Sequence, residues 1–177
     1  ALDATRPITL TFNEYLRYHR DDVAYPSPWS SRMAIDTLDG HHIGNCMYYD
    51  INTEKSQCEL GIMIGDRDYW GKGYGTDVVK TALAQIFGAT ELERVYLHTL
   101  IHNYRAQKSF LKAGLTPVRE IKRDGYEFML MEIWRKEWEV INPELPISTR
   151  ADDSSSPASL PPTTQASQTD ADPIIGS

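Results

Sequence analysis

Residues Cys58 to Phe87, CELGIMIGDRDYWGKGYGTDVVKTALAQIF, pass from strand period to helix period across a glycine-rich loop. Few folds accommodate that sequence of elements. Cys58 to Ile64 is a short apolar run holding one acid, Glu59. Gly71, Gly73 and Gly75 then alternate with Lys72 and Tyr74. From Thr76, the residues Val78, Val79, Ala82, Leu83, Ile86 and Phe87 fall on one helical face, up to a break at Gly88. A glycine loop that opens a helix is a ready anion site. The glycines let the backbone approach a ligand closely, and the first N–H groups of the helix have no intrahelical acceptor. A phosphate-bearing ligand is therefore expected, with an ordinary tight turn as the alternative.

The elements on either side define the fold class. Pro7 to Arg20 reads as a helix capped by Thr11 or Asn13, and Asp21 to Trp29, with two prolines, as an extended loop. Ser31–Thr37, His42–Asp50 and Cys58–Ile64 are strands, joined through the Asp39-Gly40 hairpin signal and a polar turn at Asn52–Gln57. They predict an antiparallel meander. After the glycine loop and its helix comes a further strand, Arg94–Leu100, and strand–helix–strand implies a parallel crossover. A second helix is expected over Tyr104–Ala113, with Gly114 as its C-terminal cap. Thr116–Ile121 and Tyr126–Trp134 flank Asp124-Gly125, a type I′ hairpin signal, and Arg135–Glu139 reads as a charged end. The expected fold is α/β (α+β): a mixed, mostly antiparallel sheet with a central parallel strand pair and flanking helices.

Composition bounds the function. The 177 residues are 41% hydrophobic and 24% charged, which suits one globular domain. The net charge of -7 argues against nucleic acid. Much of it sits in a Pro/Ser/Thr-rich stretch, residues 143–177, with five acids and one arginine, so about -4 belongs there and -3 to the rest. That stretch is too poor in apolar residues to offset ordering entropy and is expected to be a disordered tail behind a domain at 1–142. Cys46 and Cys58 lie in apolar segments without zinc-ligand spacing, so free structural thiols and no metal are expected. No apolar run is long enough for a membrane span and no signal peptide is visible, so a cytoplasmic protein is expected. Two nucleotide folds fail on spacing. Gly65 to Gly73 is one residue too long for a P-loop and lacks its hydroxyl, and Gly71, Gly73, Gly75 do not match the dinucleotide fingerprint.

Three segments together resemble the GCN5-related N-acetyltransferase (GNAT) family, in its ribosomal-protein and spermidine acetyltransferase-like branch. Tyr69-Trp70-Gly71-Lys72-Gly73-Tyr74-Gly75-Thr76 looks like the family's pyrophosphate loop, with Trp70 where Gln or Arg usually stands. Asn103-Tyr104-Arg105-Ala106 running to Lys112-Ala113-Gly114-Leu115 is similar to its Asn-x-x-Ala helix, and Ile133–Trp138 to its closing strand. The resemblance covers about Ser31 to Trp138. The family's usual first strand and helix have no visible counterpart before Pro7, which raises the expectation of a possible homodimer.

The resemblance implies an acyl-CoA N-acyltransferase-like fold. It implies transfer of the acetyl group of acetyl-CoA to a primary amine by direct attack through a tetrahedral intermediate, the acceptor being a small molecule, a protein N-terminus or a lysine. The cofactor-binding residues implied are Met63, Ile64 and Gly65 on a strand that splays from Tyr96–Leu100, then Trp70, Gly71, Lys72, Gly73, Tyr74, Gly75 and Thr76, and Asn103. Asn103 is equally an N-cap by residue type. Glu59, fourteen residues before Gly73, is the candidate general base. A carboxylate in an apolar strand is expected to have a raised pKa, and the alternative is a structural ion pair. His98 is a second candidate base or a satisfied core histidine. The family's usual acid, a tyrosine, falls at Phe110, four residues before Gly114, which leaves Ser109 or Tyr104 as substitutes, departure of the thiolate without help, or a CoA-binding module without catalysis.

Overall fold

The computed structural model describes residues 30–144 and, ahead of them, Thr11, Asn13, Glu14, Leu16, Arg17, Arg20 and Ser27. The expected loop at 21–29 and the expected tail beyond Glu144 lie almost wholly outside these residues. Within the expected N-terminal helix, Asn13, Glu14, Leu16, Arg17 and Arg20 are helical. Thr11 is its cap. Its hydroxyl accepts from the Glu14 N–H (3.4 Å), and the Glu14 carboxylate accepts from the Thr11 N–H (2.8 Å), a reciprocal capping box.

Six strands form one sheet, β1 Ser31–Asp36, β2 His42–Asn52, β3 Gln57–Ile64, β4 Arg94–Leu100, β5 Thr116–Arg123 and β6 Tyr126–Trp134, in the order β1-β2-β3-β4-β6-β5. Only β3 and β4 run parallel; the other neighbours are antiparallel. That is the mixed sheet the sequence predicts. Asp124 and Gly125 both have positive φ, 52° and 80°, as a type I′ turn requires. At Asp39-Gly40 only Gly40 is positive (85°), and the link is a longer loop, with the Gly40 N–H on the Thr37 carbonyl at 2.9 Å.

Helix α1, Tyr74–Ala89, crosses from β3 to β4. It buries Val79, Ala82, Leu83, Ile86 and Phe87, at helical spacing, against Cys58 and Leu60 of β3 and Val95 and Leu97 of β4. Each of the larger of these side chains, Ala82 apart, contributes about 1.5–3 kcal/mol. Both ends differ from the sequence expectation. Gly73, at φ 95°, takes the N-cap, so the helix opens at Tyr74 rather than Thr76. It also runs through Gly88, because its end is held from outside. Arg135 donates to the carbonyls of Phe87 (2.6 Å), Thr90 (2.5 Å) and Leu92 (2.8 Å), which offsets the roughly 1 kcal/mol that glycine costs in a helix.

Helix α2, Tyr104–Lys112, ends at Gly114 as predicted. Gly114 sits at φ 102°, and a Cβ there would lie 2.5 Å from Ile141 Cδ1. The expected charged end is instead a helix, α3, Arg135–Ile141, with Trp138 buried against Phe87 at 5.4 Å between ring centroids. Among the described residues no helix is long and apolar enough to cross a membrane.

Candidate active site

Strands β3 and β4 pair over only three rungs, Gln57–Arg94, Cys58–Val95 and Glu59–Tyr96. Beyond Glu59 they part. β3 stays on β2 as far as Gly44–Ile64, and β4 stays on β6 as far as Leu100–Phe128. A wedge opens between Leu60–Ile64 and Leu97–Leu100, with backbone groups on its walls that have no strand partner. This is the splay expected between Met63–Gly65 and Tyr96–Leu100. Gly44 secures one wall, since a Cβ there would sit 2.1 Å from the Met63 carbonyl oxygen. A cavity of about 1240 Å³ occupies the wedge and extends over the glycine loop.

At the loop end, Gly71 and Gly73 hold positive φ, 76° and 95°. Among the described residues no acceptor meets the amides of Gly71, Lys72, Gly73, Tyr74 and Gly75, whereas those of Thr76 and Asp77 turn back onto the Gly73 carbonyl (3.0 and 3.1 Å). Free amides at the positive end of a helix fit a pyrophosphate. Trp70 ties this loop to the strand: its indole N–H donates to the Ile64 carbonyl at 2.8 Å, and the Arg105 guanidinium of α2 lies 3.7 Å over its ring. The side chain of Asn103 caps α2, accepting from the Ala106 N–H at 3.3 Å, and also lines the cavity.

At the other end, Glu59 sits where the strands part. It is buried, between Tyr49 and Tyr96 in register, and its carboxylate accepts from His98 Nδ1 at 2.9 Å. The expected raised pKa is not what the surroundings produce. Burial pushes the carboxyl upward, but the hydrogen bond and charge of His98, the Tyr49 hydroxyl and the Arg123 charge outweigh it and hold Glu59 below its ordinary value. The apolar neighbours in sequence point to the opposite face of the sheet. Burial and the Glu59 charge raise the Tyr49 hydroxyl. A carboxylate only accepts, so Nδ1 of His98 carries a proton in this contact. His98 lines the cavity, and its Nδ1 is satisfied by Glu59.

Of the residues implied as cofactor-binding, Met63, Ile64, Trp70, Gly71, Gly73, Gly75, Thr76 and Asn103 line this cavity; Gly65, Lys72 and Tyr74 do not. Lys72 lies over the Tyr69 ring at 5.7 Å, and Tyr74 meets the same ring edge-on at 5.4 Å. Phe110 lines the cavity and is buried. Of its possible substitutes, Tyr104 is exposed and outside the cavity; Ser109 lines it but donates to the Arg105 carbonyl at 3.2 Å. Tyr49, Arg105 and Arg123 also line the site, and sequence reasoning did not assign them. For Arg105 a signal existed in its place within the Asn103 motif. Tyr49 and Arg123 reach the site only through strand register and the closing hairpin. Among the described residues there is no group of three or more His, Cys, Asp or Glu side chains placed to hold a metal.

No curated protein matches the chain by sequence. Among solved structures, a spermidine N-acetyltransferase from Vibrio cholerae, in complex with CoA and spermine, is 19% identical with a TM-score of 0.66, over 75% of this chain and 80% of that one. A chimera of the Vibrio cholerae enzyme SpeG with hSSAT is similar at 19% identity and TM-score 0.64, over 73% and 83% of the two chains. At these identities the likeness is one of fold, and it includes the mixed sheet described above. The model of the acetyltransferase (GNAT) domain matches residues 11–116, more than half of the chain. The glycine loop, the strand wedge and this match agree: the chain belongs to the acetyltransferase (GNAT) family and is an N-acetyltransferase of that type.

Proposed function

We propose that the chain transfers the acetyl group of acetyl-CoA to a primary amine by direct attack, with the thioester held in the β3–β4 wedge. The observation that carries this reading is the placement of Glu59 and its partner His98 at the apex of the wedge that opens between β3 and β4. Acetyl-CoA supplies the activated acyl carbon. The amides of Gly71 to Gly75 take its pyrophosphate, while Trp70 and Arg105 hold the loop against α2. A backbone N–H near Ile64 serves the developing oxyanion. Glu59 stays ionised at neutral pH and so attracts the ammonium form of the acceptor. The proton that the amine must lose passes through water to the Glu59–His98 pair. A charged carboxylate well below neutrality is a weak base alone, which is why the pair rather than Glu59 by itself is the acceptor.

A second reading rests on Phe110: a CoA-binding module of the same fold with little or no catalysis, since no side chain there can protonate the leaving thiolate. One experiment separates the two. The protein is incubated with acetyl-CoA and a panel of primary amines while free thiol is followed. Release above background on at least one amine, lowered in Glu59→Gln, supports transfer. CoA binding without release on any amine supports the module.

A further inference from the structure

The charges around the cavity are not those of a polycation site. Four basic side chains line it, Arg105, Lys108, Lys112 and Arg123, against two acidic ones, Glu59 and Asp124. The first three stand on or at the end of α2, which adjoins the glycine loop, and they suit the phosphates of the cofactor. Arg123 is different. It closes β5 beside the Asp124-Gly125 turn, with its guanidinium over the ring of Phe128 at 5.2 Å. Phe128 is buried and pairs with Leu100 at the open end of β4, so Arg123 stands over the open end of the wedge.

Arg123 also lacks the ion pair its neighbours have. Lys122 meets Glu127 at 2.9 Å, and Arg94 meets Glu132 at 2.6 Å. Among the described residues no carboxylate comes within ion-pair distance of Arg123. Its charge is nevertheless felt at Glu59. A guanidinium that lies over an aromatic face without a carboxylate partner has N–H groups left to donate, and their fork matches the two oxygens of a carboxylate or phosphate. Stacking also orders the side chain before a ligand arrives, which lowers the entropy cost of binding.

We infer that the acceptor is an amine that also carries an oxyanion, a carboxylate or phosphate ester, its nitrogen directed to Glu59 and its oxyanion to Arg123. The inference rests on the acetyl-transfer reading above and narrows its acceptor class. A polyamine brings a second positive charge to the place where Arg123 already stands, and that repulsion sets it apart from a zwitterion.

The test uses matched probes: β-alanine against β-alaninamide, phosphoethanolamine against ethanolamine, and spermidine. Binding is measured by calorimetry on the CoA-loaded protein, so it does not depend on turnover. Thiol release from acetyl-CoA is followed in parallel. The expected result is that at least one anionic probe binds about tenfold tighter than its neutral counterpart, that Arg123→Gln removes the difference, and that Arg123→Lys restores part of it. Which pair shows the difference separates carboxylate from phosphate. The CoA affinity of each variant reports whether its fold is intact. Equal binding within both pairs, no binding of either anionic probe, spermidine binding tightest, or a preference that survives Arg123→Gln overturns the inference. The expected binding pattern without thiol release would leave the inference standing and remove the transfer reading. Thiol release without an oxyanion preference would do the reverse.

Discussion

At the scale of single residues, the site turns on Glu59 and what faces it. Its ordinary carboxyl value is 4.5, and its partners hold it lower in the folded chain. Glu59 therefore contributes stability that is fully present above about pH 4.5 and lost as pH falls through the lower folded value. Urea midpoints measured at pH 7 and pH 3.5 are expected to fall more steeply for the natural chain than for Glu59→Gln; equal slopes would show that the carboxyl is not held down. For activity, Glu59→Gln should lower kcat/KM by about 10²-fold at every pH from 6 to 9, because the charge is present throughout that range. A raised value, as the sequence suggests, would instead give a loss that changes across it. His98 and Glu59 share one hydrogen bond, so the double variant Glu59→Gln, His98→Gln should cost little more than either single change. Additive losses would separate their roles.

At the scale of elements, register decides which side chain meets Glu59. Counting back from the Asn52–Gln57 rung would place Asp50 opposite Glu59. A register shift between Tyr49 and Asn52 places Tyr49 there instead, and Asp50 takes φ 51°. The bulge replaces a carboxylate with a hydroxyl at the base of the wedge and so avoids facing two like charges. Asp50→Val puts a β-branched residue in the left-handed region and should cost about 1–2 kcal/mol, whereas Asp50→Gly should be tolerated. Thermal unfolding of the two variants checks this, and equal melting temperatures would count against a strained bulge. The strands, the glycine loop and both central helices were readable from period and turn chemistry. This one-residue shift was not, because the run of Tyr48, Tyr49, Asp50 and Ile51 has no alternation to register it.

At the scale of the whole molecule, the last helix locks the crossover that builds the site. Arg135 holds the end of α1 through the carbonyls of Phe87, Thr90 and Leu92, and Trp138 packs on Phe87. Arg135→Ala leaves those carbonyls without their charged donor, and Trp138→Ala opens a core cavity. The first should destabilise the fold by about 1.5–3 kcal/mol and the second by about 3–5 kcal/mol, read as lowered urea midpoints. A change under about 0.5 kcal/mol in both would mean that α3 is peripheral to the fold. Residues Arg135–Glu139 read as a charged end because a short helix with one buried tryptophan carries too little apolar period to declare itself.

The sequence by itself determined the order of the strands and of the two central helices and the glycine loop between β3 and α1, since these depend on local period, turn residues and glycine placement. Tertiary structure decided the chemistry of the wedge. Glu59 has apolar neighbours along its strand, but side chains alternate across a sheet, so its true neighbours are His98, Tyr49 and Arg123 from other strands. Those contacts lower the carboxyl that its sequence context would raise, and hairpin closure brings the guanidinium of Arg123 to the cavity wall. Charge at a site depends on what converges in space, and that is set by register and hairpin closure rather than by spacing along the chain.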